Sequence, residues 1–170
     1  MIATARPAPR KVTKRPAKGS RIDREGLEQK VLIRWLKGEK LRGKQVGVLL
    51  EDATYHVPNG GQRNKKTAAD LKAQGVRAGV SDLVIASARG GWHGLYLEFK
   101  AAPPHDAAFA GSQREWLSRM EERGYLAVLA KGVEEAKAVL IAYADWPATQ
   151  VIGCPESMPH GSAWRRIAAE

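Results

Sequence analysis

Two short apolar runs, each carrying an acid and joined by a glycine turn, constrain this chain more than any other feature. The first is Gly79-Val80-Ser81-Asp82-Leu83-Val84-Ile85 and the second is Leu95-Tyr96-Leu97-Glu98-Phe99-Lys100. Ala88-Arg89-Gly90-Gly91 lies between them and has the chemistry of a turn, so the pair reads as a β-hairpin. Side chains alternate faces along a strand. Tyr96, Glu98 and Lys100 therefore share one face, while Leu97 and Phe99 take the other. A carboxylate and an ammonium stand side by side, and Asp82 brings a second carboxylate from the neighbouring strand. Two carboxylates suit a divalent cation such as Mg²⁺. A lysine beside them can orient or activate a water and offset phosphate charge. Such a set fits metal-assisted phosphodiester hydrolysis. Taken alone, a Glu and a Lys two apart on a strand are more often a solvated ion pair.

The chain has 170 residues and is 44% hydrophobic, enough for one domain with a proper core. Its formal net charge of +10 favours a polyanionic partner, nucleic acid first and an anionic membrane second. No apolar stretch approaches the ~20 residues of a membrane span. Cys154 is the only cysteine, which excludes an intrachain disulfide and a Cys-rich zinc module. Cys154 with His160 is too sparse for zinc. These features fit a soluble protein of a reducing cytoplasm. They do not separate an enzyme from a passive DNA-binding protein.

Residues 1–21 form a basic arm rich in Pro and Ala, with Arg6, Arg10, Lys11, Lys14, Arg15, Lys18 and Arg21. Pro7, Pro9 and Pro16 oppose a helix, so the arm is expected to be disordered. It serves either as a solubilising tail or as a source of salt-dependent DNA affinity. From Arg24 to Lys37 the pattern is helical: Leu27, Val31 and Trp35 recur every four residues, Leu32 and Leu36 broaden the stripe, and Gly38 is a natural stop. Glu28 lies at the edge of that stripe, where a solvated charge is the ordinary reading. Val46–Leu50 and Thr54–Val57 read as strands, followed by the turn Pro58-Asn59-Gly60-Gly61. A short helix is expected from Thr67 to Gly75, and another from Ser112 to Gly124 with Ser112 and Glu115 as a capping box. Tyr125–Ala130 reads as a buried strand and Val133–Ala144 as a helix. The tail, residues 147–170, either packs through Trp146 and Trp164 or hangs free. The element order predicts an α/β domain with a mixed central β-sheet flanked by helices.

With the motifs in this order, the chain resembles the PD-(D/E)xK nuclease superfamily, and within it the stand-alone VRR-NUC domain of phages and bacteria. The matching segments are His56-Val57-Pro58-Asn59-Gly60-Gly61, Gly75 through Leu83, Gly94 through Lys100, Ser112-Gln113-Arg114-Glu115-Trp116-Leu117 and Gly124-Tyr125. The bare Asp and Glu-x-Lys pattern is weak, whereas the ordered set is specific. The family usually has proline where this chain has Ser81. The resemblance implies a restriction-endonuclease-like core over residues 22–146. It implies Asp82, Glu98 and the Phe99 main-chain carbonyl as ligands of Mg²⁺, with Mn²⁺ as substitute. Lys100 would serve the attacking water and the phosphate, Gln113 would face the site, and Glu28 would complete the metal shell as the early helical acid. DNA is the implied substrate, and no organic cofactor is implied.

Arg63, Lys65, Lys66 and Lys72 form a basic cluster expected to grip phosphates, though a merely soluble face would look the same. Asn59 and Arg77, within the matched segments, join them. Tyr96 is the better candidate to stack on a base at a branch, and Trp92 is as readily a packing residue. His56 either assists near the cleft or is a surface histidine. The resemblance further implies branched DNA, including four-way junctions, and a homodimer. The alternatives are a flap or general endonuclease of phage DNA processing and, in another class, a non-catalytic basic DNA-binding protein.

Overall fold

A computed structural model describes residues 22–58 and 65–150. The basic arm, Asn59, Arg63 and the tail beyond Gln150 lie outside the described residues, as do the side chains of Lys65 and Lys66. The elements run α1 (Arg24–Leu41), α2 (Gln45–Leu50), β1 (Thr54–His56), α3 (Lys65–Ala73), β2 (Leu83–Ile85), β3 (Leu95–Lys100), α4 (Gly111–Glu121), β4 (Leu126–Lys131) and α5 (Gly132–Asp145).

Among the described residues the four strands form one mixed sheet in the order β1-β2-β3-β4. The β1–β2 and β2–β3 pairs are antiparallel and β3–β4 is parallel. This is the expected α/β architecture. The hairpin forms as read, with Leu83 opposite Leu97 and Ile85 opposite Leu95. Its inward face carries Leu83, Ile85, Leu95, Leu97 and Phe99, all fully buried against Leu32 and Leu36 of α1, Val46 and Leu50 of α2, and Ala136, Leu140 and Tyr143 of α5. Burying these side chains supplies most of the folding drive, roughly 1.5–3 kcal/mol for each large one.

Asp23 caps α1, its Oδ1 accepting the Gly26 N–H at 2.9 Å. The helix passes the expected stop at Gly38 and ends three residues later. The residue with the left-handed backbone is Gly43, at φ 65°. There the N–H groups of Gly43 and Lys44 close on the carbonyls of Lys40 and Glu39. The inward stripe also differs from the expected one. Leu32 and Leu36 are buried, but Leu27 and Val31 remain 53% and 49% exposed. The face turned to the protein continues from Leu36 and Leu32 towards Glu28 and Glu25.

Val46–Leu50 is helical, not a strand. The buried residues are Val46, Gly47 and Leu50, a helical spacing, with Val48 and Leu49 outward. Gly47 is what lets α2 lie against α1, since a Cβ there would come within 2.0 Å of the Lys40 backbone nitrogen. The α4 cap differs too. The N-cap is Ala110, whose N–H is accepted by Gln113 Oε1 at 2.9 Å, so Ser112 and Glu115 are not the capping pair. Near the tail, Arg89 turns inward and donates from Nε to the Tyr143 carbonyl and from Nη2 to the Trp146 carbonyl, gathering the end of α5. Thr149 is bonded to Ala88 and Gly91, so the chain as far as Thr149 packs on the hairpin turn.

Candidate active site

The register that sets Leu83 opposite Leu97 makes Asp82 and Glu98 the next cross-strand pair. Asp82 Oδ2 accepts the Phe99 N–H at 3.0 Å, which ties the start of β2 to β3. Glu98 is fully buried, and Lys100 nearly so. Lys100 Nζ donates to Glu98 Oε1 at 2.7 Å. Gln113, from the first turn of α4, donates its amide to the same oxygen. The sheet and α4 therefore converge on one carboxylate. Gly79 makes this approach possible: at φ 82° it lies so close to α4 that a Cβ would meet the Ser112 carbonyl at 2.3 Å.

Glu98 Oε2 is buried and has no hydrogen-bond partner. An unpartnered oxygen on a buried carboxylate is costly. Burial, and then the negative charges of Asp82 and Glu25, raise its pKa to about 7 from 4.5, against the opposing pull of Lys100. For Lys100, burial alone would lower the pKa. The hydrogen bond to Glu98 and the charges of Glu98, Glu25 and Asp82 outweigh it, and the net shift is upward. Lys100 is thus an ammonium, a donor and a counter-charge rather than a free base.

Two acids, a main-chain carbonyl between the motif residues and an orphaned carboxylate oxygen are what a hard divalent cation requires of its first ligands. Among the described residues no three His, Cys, Asp or Glu side chains gather at metal-ligand spacing. The resemblance implies Asp82, Glu98 and the Phe99 carbonyl, with Glu28 completing the shell. Asp82 and Glu98 stand as cross-strand neighbours that fit such an ion, and Glu28 is bonded elsewhere.

The helical acid is placed differently from expectation. Glu28 Oε2 accepts the Ala102 N–H at 3.0 Å, just past the end of β3. Glu25, one turn earlier, lies with Oε2 3.7 Å from Lys100 Nζ. Burial raises the Glu25 pKa, with Asp82 and Asp23 adding to the rise and Lys100 opposing it. Sequence reasoning missed Glu25, although its spacing of three from Glu28 puts both on one helix face. His56, at the end of β1, places Nδ1 2.8 Å from the Asp82 carbonyl and 2.9 Å from the Gln29 amide. Tyr96 does share the Glu98 face, but its ring packs edge-on against Trp116 and Tyr125, joining β3 to α4 rather than standing free for a base. Lys72 and Arg77 are exposed, on and just after α3.

A mixed sheet with Asp82 just before one strand and Glu98 with Lys100 on the next is the arrangement of a PD-(D/E)xK-type nuclease core. The comparison of sequences narrows this: the model of the VRR-NUC domain matches residues 23–134, and the chain belongs to that family. A solved structure described as a VRR_NUC domain protein is similar in fold, with a TM-score of 0.59 and 32% sequence identity over 72% of this chain and 89% of that chain. No curated protein matches the sequence. The chain is therefore a nuclease-domain protein, and no helix among the described residues is long and apolar enough to cross a membrane.

Proposed function

We propose that this protein is a metal-dependent DNA endonuclease that selects branched substrates. The observation that carries the reading is the buried Glu98, one oxygen held by Lys100 and Gln113 and the other unpartnered beside Asp82. Asp82, Glu98 and the Phe99 carbonyl would hold Mg²⁺ or Mn²⁺, with Glu25 rather than Glu28 as the nearest helical acid. A bound divalent ion supplies Lewis-acid polarisation of phosphate and a lowered pKa for the attacking water. Lys100 acts as the ammonium that donates to the nucleophilic water or the phosphoryl oxygen and balances developing charge. Gln113 fixes the rotamer of Glu98. The Phe99 N–H fixes that of Asp82.

The substrate choice rests on a proposed homodimer. A two-fold pair of such sites presents one centre to each of two strands, which suits a four-way junction. The test is cleavage of a labelled four-way junction and a matched linear duplex, in Mg²⁺ and in EDTA, beside Lys100→Ala. Paired, metal-dependent cuts on the junction alone, lost in the variant, are the expected result. Equal cutting of both substrates would leave a general endonuclease. A monomeric mass in solution, with and without DNA, would remove the dimer.

A further inference from the structure

A cleft of about 980 Å³ opens beside the candidate site. Asp82, Glu25 and Asp23 stand in its wall, and α1 contributes Lys30, Arg34 and Lys37. The three cations recur at intervals of four and three, so they form one row on one face of the helix. Lys30, Arg34 and Lys37 are exposed, and among the described residues none of them forms an ion pair. The contrast lies on the same helix, where Lys40 is paired with Glu51 and Asp52 outside the cleft lining. Lys40 is neutralised internally and the three cleft cations are left open, as is Arg24 at the start of the helix outside the cleft lining.

We infer that Lys30, Arg34 and Lys37 form a phosphate track along α1 that carries one DNA strand to the candidate site. The inference rests on the nuclease reading and adds the path of the substrate. The dimensions suit it. At about 1.5 Å rise per residue the row spans roughly 10 Å. Phosphates on one strand advance about 3.4 Å each along a duplex axis, so the row faces about three of them. Its direction suits it too. The acids lie at the N-terminal end of the cleft, where a cation is wanted, and the row leads away from them along the helix. Three open cations in a line would repel one another without a polyanion. The same charges facing bulk water would be a plain solvated face, but these share one concavity with Asp82.

The test is the salt dependence of DNA binding by the full chain. Anisotropy of a labelled duplex in EDTA, between about 50 and 200 mM salt, gives the slope of log K against log salt. The variant Lys30→Gln/Arg34→Gln/Lys37→Gln is compared with Lys44→Gln/Arg119→Gln/Arg123→Gln, which removes the same charge from outside the cleft lining. Three lost phosphate contacts lower the slope by about 2–3, at roughly 0.9 each. The cleft variant should show that loss and the control should not. Cleavage at sub-saturating DNA should fall with the lost affinity in the cleft variant and stay near wild type in the control. Equal slopes for wild type and the cleft variant, or equal losses in both variants, overturn the track. If wild type binds with the expected slope and the cleft variant loses it, yet wild type cleaves nothing in Mg²⁺ or Mn²⁺, the track stands and the nuclease reading falls.

Discussion

Neutralising Glu98 should flatten the pH dependence of folding stability in the metal-free protein. The carboxyl is held at about 7 in the folded chain, against 4.5 for a free one. The folded state therefore binds the extra proton, and stability from this group is fully present below pH 4.5 and lost as the pH rises through 7. At about 1.4 kcal/mol per pH unit, the loss amounts to about 3 kcal/mol. Glu98→Gln keeps a carbonyl oxygen for Lys100 and Gln113 but has no proton to lose. The stability of the variant relative to wild type should thus climb by about 3 kcal/mol across that window. For a chain of this size this is a difference of roughly 6–12 °C in Tm. The background of charge repulsion is common to both proteins and cancels in the difference. Thermal unfolding in EDTA at a series of pH values reads it directly. Adding Mg²⁺ at about pH 8 should raise the Tm of wild type, because metal takes the place of the proton. It should leave Glu98→Gln nearly unmoved. Parallel Tm profiles for the two proteins from pH 4.5 to 7 would refute the burial and charge account of this carboxylate.

Other substitutions test the scaffold and the helical acid. Arg89→Ala removes two donors from the carbonyls of Tyr143 and Trp146 at the end of α5; urea unfolding should show a loss of about 2–3 kcal/mol. Ser81 Oγ is buried with no hydrogen-bond partner, so Ser81→Ala should be neutral or stabilising by about 1 kcal/mol, and a large loss would reveal a partner for the hydroxyl. Glu25→Gln should depress cleavage more than Glu28→Gln in single-turnover assays. Glu28→Gln should act mainly on stability, through the Ala102 N–H.

The hairpin and its chemistry were legible because two local rules agree there. Strand alternation set the faces of Leu95 to Lys100, and the Gly90-Gly91 turn marked the hairpin, although the register that sets Leu83 opposite Leu97 is one residue off the one the Arg89–Trp92 pair would give. Buried apolar side chains on one face then left the other for Glu98 and Lys100. Val46 to Leu50 was not legible. An apolar run of five serves a strand or a helix equally well, and what decides is a tertiary contact, the bare backbone of Gly47 against α1. The stop of α1 was misplaced for a related reason. Gly38 tolerates a helix interior, and only Gly43 takes the left-handed backbone that ends one.

The miss on α1 follows from the same physics and points to function. Counting apolar residues selects Leu27, Val31 and Trp35 with Leu32 and Leu36. Leu32 and Leu36 are buried and Trp35 packs on the core, but Leu27 and Val31 face out and the inward line of the helix continues through Glu28 and Glu25. Its C-terminal half seals the core with leucine, while its N-terminal half brings acids against Lys100 and the end of β3. A helix that served stability alone would continue its leucine stripe through positions 28 and 25 and leave no acid to be desolvated. That departure costs burial energy, and it occurs where Asp82, Glu98 and Lys100 converge. Binary patterning fails at functional sites because charge is retained there for another purpose. The two outward leucine-like positions, Leu27 and Val31, are the complement of the same choice: once the acids are turned in, the apolar residues between them have nowhere to go but out.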